Sequence, residues 1–138
     1  MRVLSELEPK NVFSFFEDIC NIPHPSYKED KISNYLVDFA KERKLEYYQD
    51  ALNNVIIIKE ASKGYEDAAP IILQGHMDMV CEKTPDCDKN MDDDGLDLEI
   101  NGDFISAKGT TLGGDDGIAV AFILAVLASD TIAHPPIQ

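Results

Sequence analysis

The chain has 138 residues, which fits one domain, and 44% of them are hydrophobic, as in ordinary soluble globular proteins. Its formal net charge of −14 argues against nucleic acid and against an anionic membrane surface, because phosphates attract Lys and Arg rather than Asp and Glu. The acidity is compatible with cation binding, although solubility alone accounts for it more simply.

The sequence carries no sign of export or of membrane insertion. No stretch is long and apolar enough to span a bilayer, and the opening "MRVLSELEPK" lacks the apolar segment of a signal peptide. Cys20, Cys81 and Cys87 are irregularly spaced and form neither a disulfide framework nor a Cys-x-x-Cys knuckle. We therefore expect a reduced, cytoplasmic protein.

The first third of the chain predicts two amphipathic helices. Apolar residues recur at helical spacing in "PKNVFSFFEDICN", residues 9–21. A capping box formed by Ser26 and Glu29 predicts the start of a second helix, which runs to about Lys44. Between these helices, His24 lies between two prolines and is predicted to be a loop residue rather than a ligand.

The middle of the chain predicts strands. Residues 45–59 contain two, "LEYYQD" and "NVIIIKE", joined at "ALNN". "IILQG", residues 71–75, is apolar on both faces at its start and is expected to lie centrally in a sheet covered by helices. An irregular acidic loop follows over residues 81–95. "LDLEINGDFISA" then predicts a hairpin with Asn101-Gly102 as its turn.

The last part combines a glycine-rich loop with an apolar segment. "GTTLGGDDG", residues 109–117, precedes "IAVAFILAVLAS", residues 118–129, which is too short for a membrane span and predicts a buried helix. These elements together predict an α/β fold, a mixed β-sheet with flanking helices, in a single domain over residues 1–138.

Two polar residues, His76 and Asp78, follow the predicted strand at 71–75. Strand alternation places both side chains on the same side at the strand's carboxyl end, where open α/β sheets gather ligands. A metal-bound imidazole usually donates its second N–H to a carboxylate. The pair is therefore a candidate half of a metal site, although a structural role is the commoner one for such a pair.

Asp115 and Asp116 form the second candidate element, with glycines on both sides and a hydrophobic helix after them. One of them could simply cap the helix, since Asp is favoured at that position. A cap explains one aspartate and not two, because adjacent carboxylates repel each other unless a cation or a proton lies between them.

These elements resemble the M20 family of zinc metallopeptidases, and within it the aminoacyl-histidine dipeptidases (Xaa-His dipeptidases, peptidase D). The resemblance is carried by "LQGHMDMVCEK" at 73–83, "INGDFISAKGTTLGGDDGIAVA" at 100–121 and "HPPI" at 134–137. It covers essentially the whole chain. It implies the N-terminal portion of a catalytic domain with a phosphorylase/hydrolase-like fold. The implied reaction is hydrolysis of Xaa-His dipeptides with two zinc ions, or other divalent metals such as manganese or cobalt.

The resemblance also implies a role for each of three residues. His76 is similar to the ligand of one zinc ion, and Asp78 to the catalytic aspartate that orients and polarises that histidine without binding metal. Asp115 is similar to the carboxylate that bridges both ions, and relatives tend to have a cis peptide bond just after it.

In the family, a Glu-Glu pair after the "HPPI" segment supplies the general base and a further ligand, and an acidic residue and a histidine follow. This chain contains no Glu-Glu pair. His134 precedes two prolines and is predicted to be a loop or strand-entry residue. We therefore expect a truncated fragment that binds zinc weakly, lacks peptidase activity alone and self-associates through an exposed sheet edge or apolar surface.

Other readings stay open at this point. Residues 88–99, "DKNMDDDGLDLE", have acidic spacing similar to an EF-hand calcium loop, but Asp93 replaces the required glycine and the flanks are not helical. A solvated acidic loop fits these residues better. The chain could also come from another M20 peptidase, such as a tripeptide aminopeptidase or a broader dipeptidase. A further alternative is a non-catalytic acidic module that binds cations or a partner.

Overall fold

Residues 2–138, which a computed structural model describes, contain three helices and two antiparallel hairpins. The helices are α1 (Lys10–Cys20), α2 (Asp30–Glu42) and α3 (Gly114–Ala128). The strands are β1 (Glu46–Gln49), β2 (Val55–Ile58), β3 (Leu98–Asn101) and β4 (Phe104–Ala107), paired β1–β2 and β3–β4. Across this part of the chain, no helix combines the length and hydropathy needed to cross a membrane.

The core lies where α1 packs against α3. Phe16 and Ile19 of α1 are buried, as are Leu124 and Leu127 of α3. At Gly117 the helices approach so closely that a Cβ atom would lie 3.2 Å from the Phe16 ring. Because α3 is apolar on nearly all sides, it must be covered by other elements, and this packing holds the loop before it in place.

Most of the predicted elements are present near their predicted positions. The helices α1 and α3 and both hairpins are observed. The turn of the second hairpin lies one residue later than predicted, at Gly102 and Asp103, and Gly102 has the positive φ of +60° that favours glycine there.

The predicted capping box is wrong. The helix α2 begins at Asp30, and no side chain caps its first turn. Ser26 instead donates its hydroxyl proton to Asp78, whereas Glu29 accepts a hydrogen bond from the backbone N–H of Tyr27. Tyr27 has a φ of +71°, which turns the chain between Ser26 and the helix.

The prediction of a central strand at 71–75 is also wrong in detail. This segment is extended, but it pairs in parallel with Pro136–Gln138 alone, and Ile72 is 72% exposed. A strand needs backbone partners on its edges, and among residues 2–138 few are available to this segment. Parallel bridges at Ile71 and Met79 and antiparallel hairpins nevertheless give the mixed pairing of an α/β fold.

Candidate metal centre

The imidazole of His76 lies between two carboxylates. Its Nδ1 atom lies 3.1 Å from Asp78 Oδ1, and its Nε2 atom lies 3.1 Å from Asp115 Oδ1. The structure therefore brings together all three residues singled out in the sequence, although Asp115 is 39 positions from His76. The His76 side chain is 54% exposed and that of Asp115 is 95% exposed, so this cluster faces solvent.

The glycine-rich loop reaches the cluster because it can approach the 76–79 segment closely. Gly113 adopts a φ of +71°, and a Cβ atom there would lie 2.8 Å from the sulfur of Met79. The two aspartates that follow have non-helical dihedral angles although they stand in the first turn of α3, and the peptide bond between them is cis. The Asp115 side chain lies beside His76 Nε2, and the Asp116 side chain lies beside the backbone N–H of His76.

Asp116 has a different partner from Asp115. Its Oδ2 atom accepts a hydrogen bond of 3.2 Å from the backbone N–H of His76. A Cβ atom at Gly75 would lie 2.9 Å from that same oxygen, so glycine is needed beside the bond. Sequence reasoning considered Asp116 only as a possible cap of the helix. The glycine directly before His76 was the available signal, because a glycine in a strand often marks the close approach of another group.

Asp78 is held on its other side by Ser26. The Ser26 hydroxyl donates to Asp78 Oδ2 at 2.5 Å, while Oδ1 faces His76. The Ser26 hydrogen bond, followed by the one from His76, lowers the pKa of Asp78 below its ordinary value. Sequence reasoning missed this contact because it placed Ser26 in a helix cap.

The electrostatics of the cluster favour a positive charge at His76. The hydrogen bond to the Asp115 carboxylate, with a further one to Asp78, raises the pKa of His76 above its ordinary value.

The two other histidines are buried and hydrogen-bonded to backbone carbonyls of Ile22 and Pro135. Both His24 and His134 therefore stand as loop residues, as predicted.

The donor types at this cluster suit zinc, which binds imidazole nitrogen and carboxylate oxygen. Asp78 supplies the hydrogen-bond partner that a metal-bound histidine usually has. Within residues 2–138, however, no group of three or more His, Cys, Asp or Glu side chains is arranged to hold an ion. His76 and Asp115 thus fit as part of a ligand set, since a catalytic zinc takes three protein ligands.

The overall fold is that of the N-terminal part of peptidase domains. A tripeptidase from Staphylococcus aureus and an aminopeptidase from Bacillus cereus each superpose with a TM-score of 0.72, at 21% and 22% identity. They cover 94% and 93% of this chain, which spans 35% and 34% of theirs. At that identity the likeness concerns the fold alone. No protein-family model matches the chain.

Two more similar proteins are dipeptidases. The aminoacylhistidine dipeptidase from Vibrio alginolyticus superposes with a TM-score of 0.94 at 43% identity, over 97% of this chain and 27% of that one. The cytosol non-specific dipeptidase of Escherichia coli (strain K12) is 41% identical over 138 residues. These are all the residues of this chain and 28% of the relative's length. The resemblance to dipeptidases predicted from the sequence is thereby confirmed.

Proposed function

We propose that this chain is the N-terminal part of the catalytic domain of a zinc-dependent dipeptidase of the M20 family that hydrolyses Xaa-His dipeptides in the cytoplasm. The observation that carries the proposal is the position of His76 Nε2, which lies 3.1 Å from Asp115 while Nδ1 faces Asp78. The similarity to two dipeptidases, one of them named as a cytosol enzyme, supports the reaction and the compartment.

Each residue of the cluster has a distinct part in this proposal. In the neutral imidazole of His76, Nδ1–H would donate a hydrogen bond to Asp78, and the Nε2 lone pair would then be free to bind metal on the side of Asp115. The exposed carboxylate of Asp115 would bridge two ions, and Asp116 fixes the backbone at His76. The zinc ions would supply an acidic water molecule and polarise the scissile carbonyl group.

The remaining ligands and the general base are proposed to come from outside this chain's described residues. On this basis the 138-residue chain should bind zinc weakly and should not hydrolyse Xaa-His dipeptides alone. Hydrolysis of Gly-His by the purified chain, at a rate clearly above that of a His76→Ala chain, would contradict this part of the proposal.

Zinc binding tests the site directly. We expect calorimetric titration of the chain with Zn²⁺ to show weak binding that His76→Ala and Asp115→Ala each weaken by about tenfold or more. Asp93→Asn is the matched control, because it removes a carboxylate from the separate acidic loop. Zinc affinity that is insensitive to His76→Ala would contradict the assignment, since the cysteines of the chain could then be the binding groups.

Activity provides the second test, in a longer protein that contains this chain. There His76→Ala should lower kcat/KM for Xaa-His dipeptides by about a thousandfold, because a catalytic metal contributes several kcal/mol of transition-state stabilisation. The word "non-specific" in the name of the Escherichia coli relative favours a broader dipeptidase as the second candidate. Comparable kcat/KM values for Ala-His and Ala-Leu would select that broader activity.

We also propose that the isolated chain self-associates. Ile56 is 41% exposed and Ile72 is 72% exposed, and both line a cavity of about 340 Å³ that opens between β2 and residues 72–77. Exposed apolar surface of this kind usually marks an interaction site. Light scattering should show a mass that rises with concentration, whereas a constant monomer mass would count against the proposal.

A further inference from the structure

Ser26 lies outside the cluster described above, yet it contacts one of its members directly. Its hydroxyl donates to Asp78 Oδ2 at 2.5 Å, across 52 positions of sequence. On the basis of the function proposed above, we propose that Ser26 is a positioning residue. By holding Asp78, it fixes the orientation and the tautomer in which His76 is presented to metal.

The backbone places Ser26 opposite Asp78. The N–H of Ser26 donates to the carbonyl of Met79, and the N–H of Met79 donates to the carbonyl of His24. Pro25 and Met79 accordingly form a parallel bridge. The Ser26 side chain is therefore attached to a segment that is paired with the strand-like segment carrying the site.

The local backbone conformation directs the Ser26 side chain to Asp78 and away from the start of α2. Tyr27 has a φ of +71°, which is uncommon for a residue with a side chain, and its own side chain is 96% exposed. The turn at Tyr27 separates Ser26 from α2, which begins at Asp30 without a side-chain cap. Strained backbone of this kind persists where the surrounding structure enforces it, often at functional sites.

The chemical consequence follows from the two oxygens of a carboxylate. Asp78 Oδ1 faces His76 Nδ1, and Oδ2 is taken by Ser26, so both oxygens have a fixed partner. A carboxylate held at one oxygen cannot rotate freely about its last bond, and the other oxygen stays aimed at the imidazole. Neutral imidazole carries one proton, and His76 has acceptors at both ring nitrogens: the carboxylate and the backbone carbonyl of Asp78 at Nδ1, and the Asp115 carboxylate at Nε2. Holding the Asp78 carboxylate in place therefore shifts the balance toward the tautomer with the proton on Nδ1 and a free Nε2.

The tautomer can be measured without metal or substrate. In the zinc-free chain, at a pH where His76 is neutral, the imidazole ¹⁵N chemical shifts report the fraction of Nδ1–H tautomer. Because Asp115 competes for the proton at Nε2, the test is the change between variants. We expect the Nδ1–H fraction to be higher in the wild type than in Ser26→Ala, and to be restored in Ser26→Thr, which keeps the hydroxyl. Ser62→Ala is the matched control, because the Ser62 hydroxyl accepts a hydrogen bond from the backbone N–H of His134 rather than contacting Asp78, and its loss should leave the tautomer unchanged.

Zinc affinity is the second readout. Ser26→Ala should weaken Zn²⁺ binding by up to about tenfold, the lower end of the losses seen when outer-shell partners of metal ligands are removed. A Ser26→Ala chain with an unchanged or higher Nδ1–H fraction would overturn the positioning role, as would a threonine variant that behaves like alanine. Wild-type chain that shows the expected change of tautomer between variants but binds no zinc would instead contradict the zinc binding proposed for His76 and Asp115 and leave the positioning role intact.

Discussion

Two regions of this molecule are rich in carboxylates, and they differ in how those carboxylates are paired. Within and just after the acidic loop of residues 81–95, three aspartates lie within ion-pair distance of lysines. These pairs are Lys28–Asp92, Lys31–Asp93 and Lys89–Asp97. Asn90 donates further hydrogen bonds to Asp93 and Asp94 from its side chain and its backbone. Lys28 and Lys31 from the region where α2 begins, together with Lys89, therefore offset part of the negative charge of these aspartates.

The carboxylates around His76 are paired differently. Asp78 and Asp115 both face this imidazole, and Asp116 accepts a hydrogen bond from its backbone. Among the ion pairs of residues 2–138, those that involve Asp78 and Asp115 contain His76 and neither lysine nor arginine. The number of carboxylates in a region therefore does not by itself identify a cation site. The two regions differ in whether lysine side chains already form ion pairs with the carboxylates.

The largest expected effect concerns the packing that brings the glycine-rich loop to His76. Gly113→Ala should lower the free energy of unfolding by about 2–4 kcal/mol, because it combines left-handed backbone strain with overpacking against Met79. Gly102→Ala has a similar φ of +60° but open space around it, and should cost about 1–2 kcal/mol. Urea denaturation measures both changes. Equal losses would show that the loop does not depend on its close approach to Met79.

The elements that the sequence predicted well are those whose signals are local. The apolar run of α3 and the Asn-Gly turn region of the second hairpin are read from adjacent residues, and both elements are present. The segment at 71–75 has the apolar pattern of a strand, but its structure depends on distant neighbours. Its pairing is confined to Pro136–Gln138, more than 60 positions away.

The same distinction applies to the candidate site. Alternation along a strand was enough to place His76 and Asp78 side by side. The contact of Ser26 with Asp78 spans 52 positions, and that of Asp116 with the His76 backbone spans 40, so neither has a local signature. Ser26 also matched the local sequence pattern of a capping box. That match favoured a helix cap, and the long-range hydrogen bond to Asp78 was therefore not predicted.

The second prediction concerns the pH dependence of the His76 cluster. The folded state raises the pKa of His76, chiefly through Asp115. The resulting stabilisation is fully present below the unfolded pKa of about 6.5 and is lost as the pH rises through the higher folded pKa. Asp115→Asn should lower the pKa of His76 and remove part of this stabilisation, whereas Asp93→Asn in the acidic loop should leave that pKa unchanged.

Proton NMR titration in the presence of a chelator measures the pKa of His76. His24 provides an internal reference, because its pKa is shifted in the opposite direction. Burial lowers the pKa of His24, so its protonation should occur at lower pH than that of His76 in the same sample. If Asp93→Asn moved the pKa of His76 as far as Asp115→Asn did, the two acidic regions would be electrostatically coupled and the contrast between them would fail.

The smallest expected effect is the response of the acidic loop to calcium. Because lysines already pair with Asp92, Asp93 and Asp97, calorimetry should detect no calcium binding by the wild-type chain. The substitutions Lys28→Gln and Lys31→Gln together remove the ion-pair partners of Asp92 and Asp93. Weak calcium binding with a Kd of about 1 mM should then appear. Micromolar calcium binding by the wild type would require the ion to displace the lysines that pair with these aspartates. The loop would then be a cation site itself, and the contrast with the His76 cluster would fail.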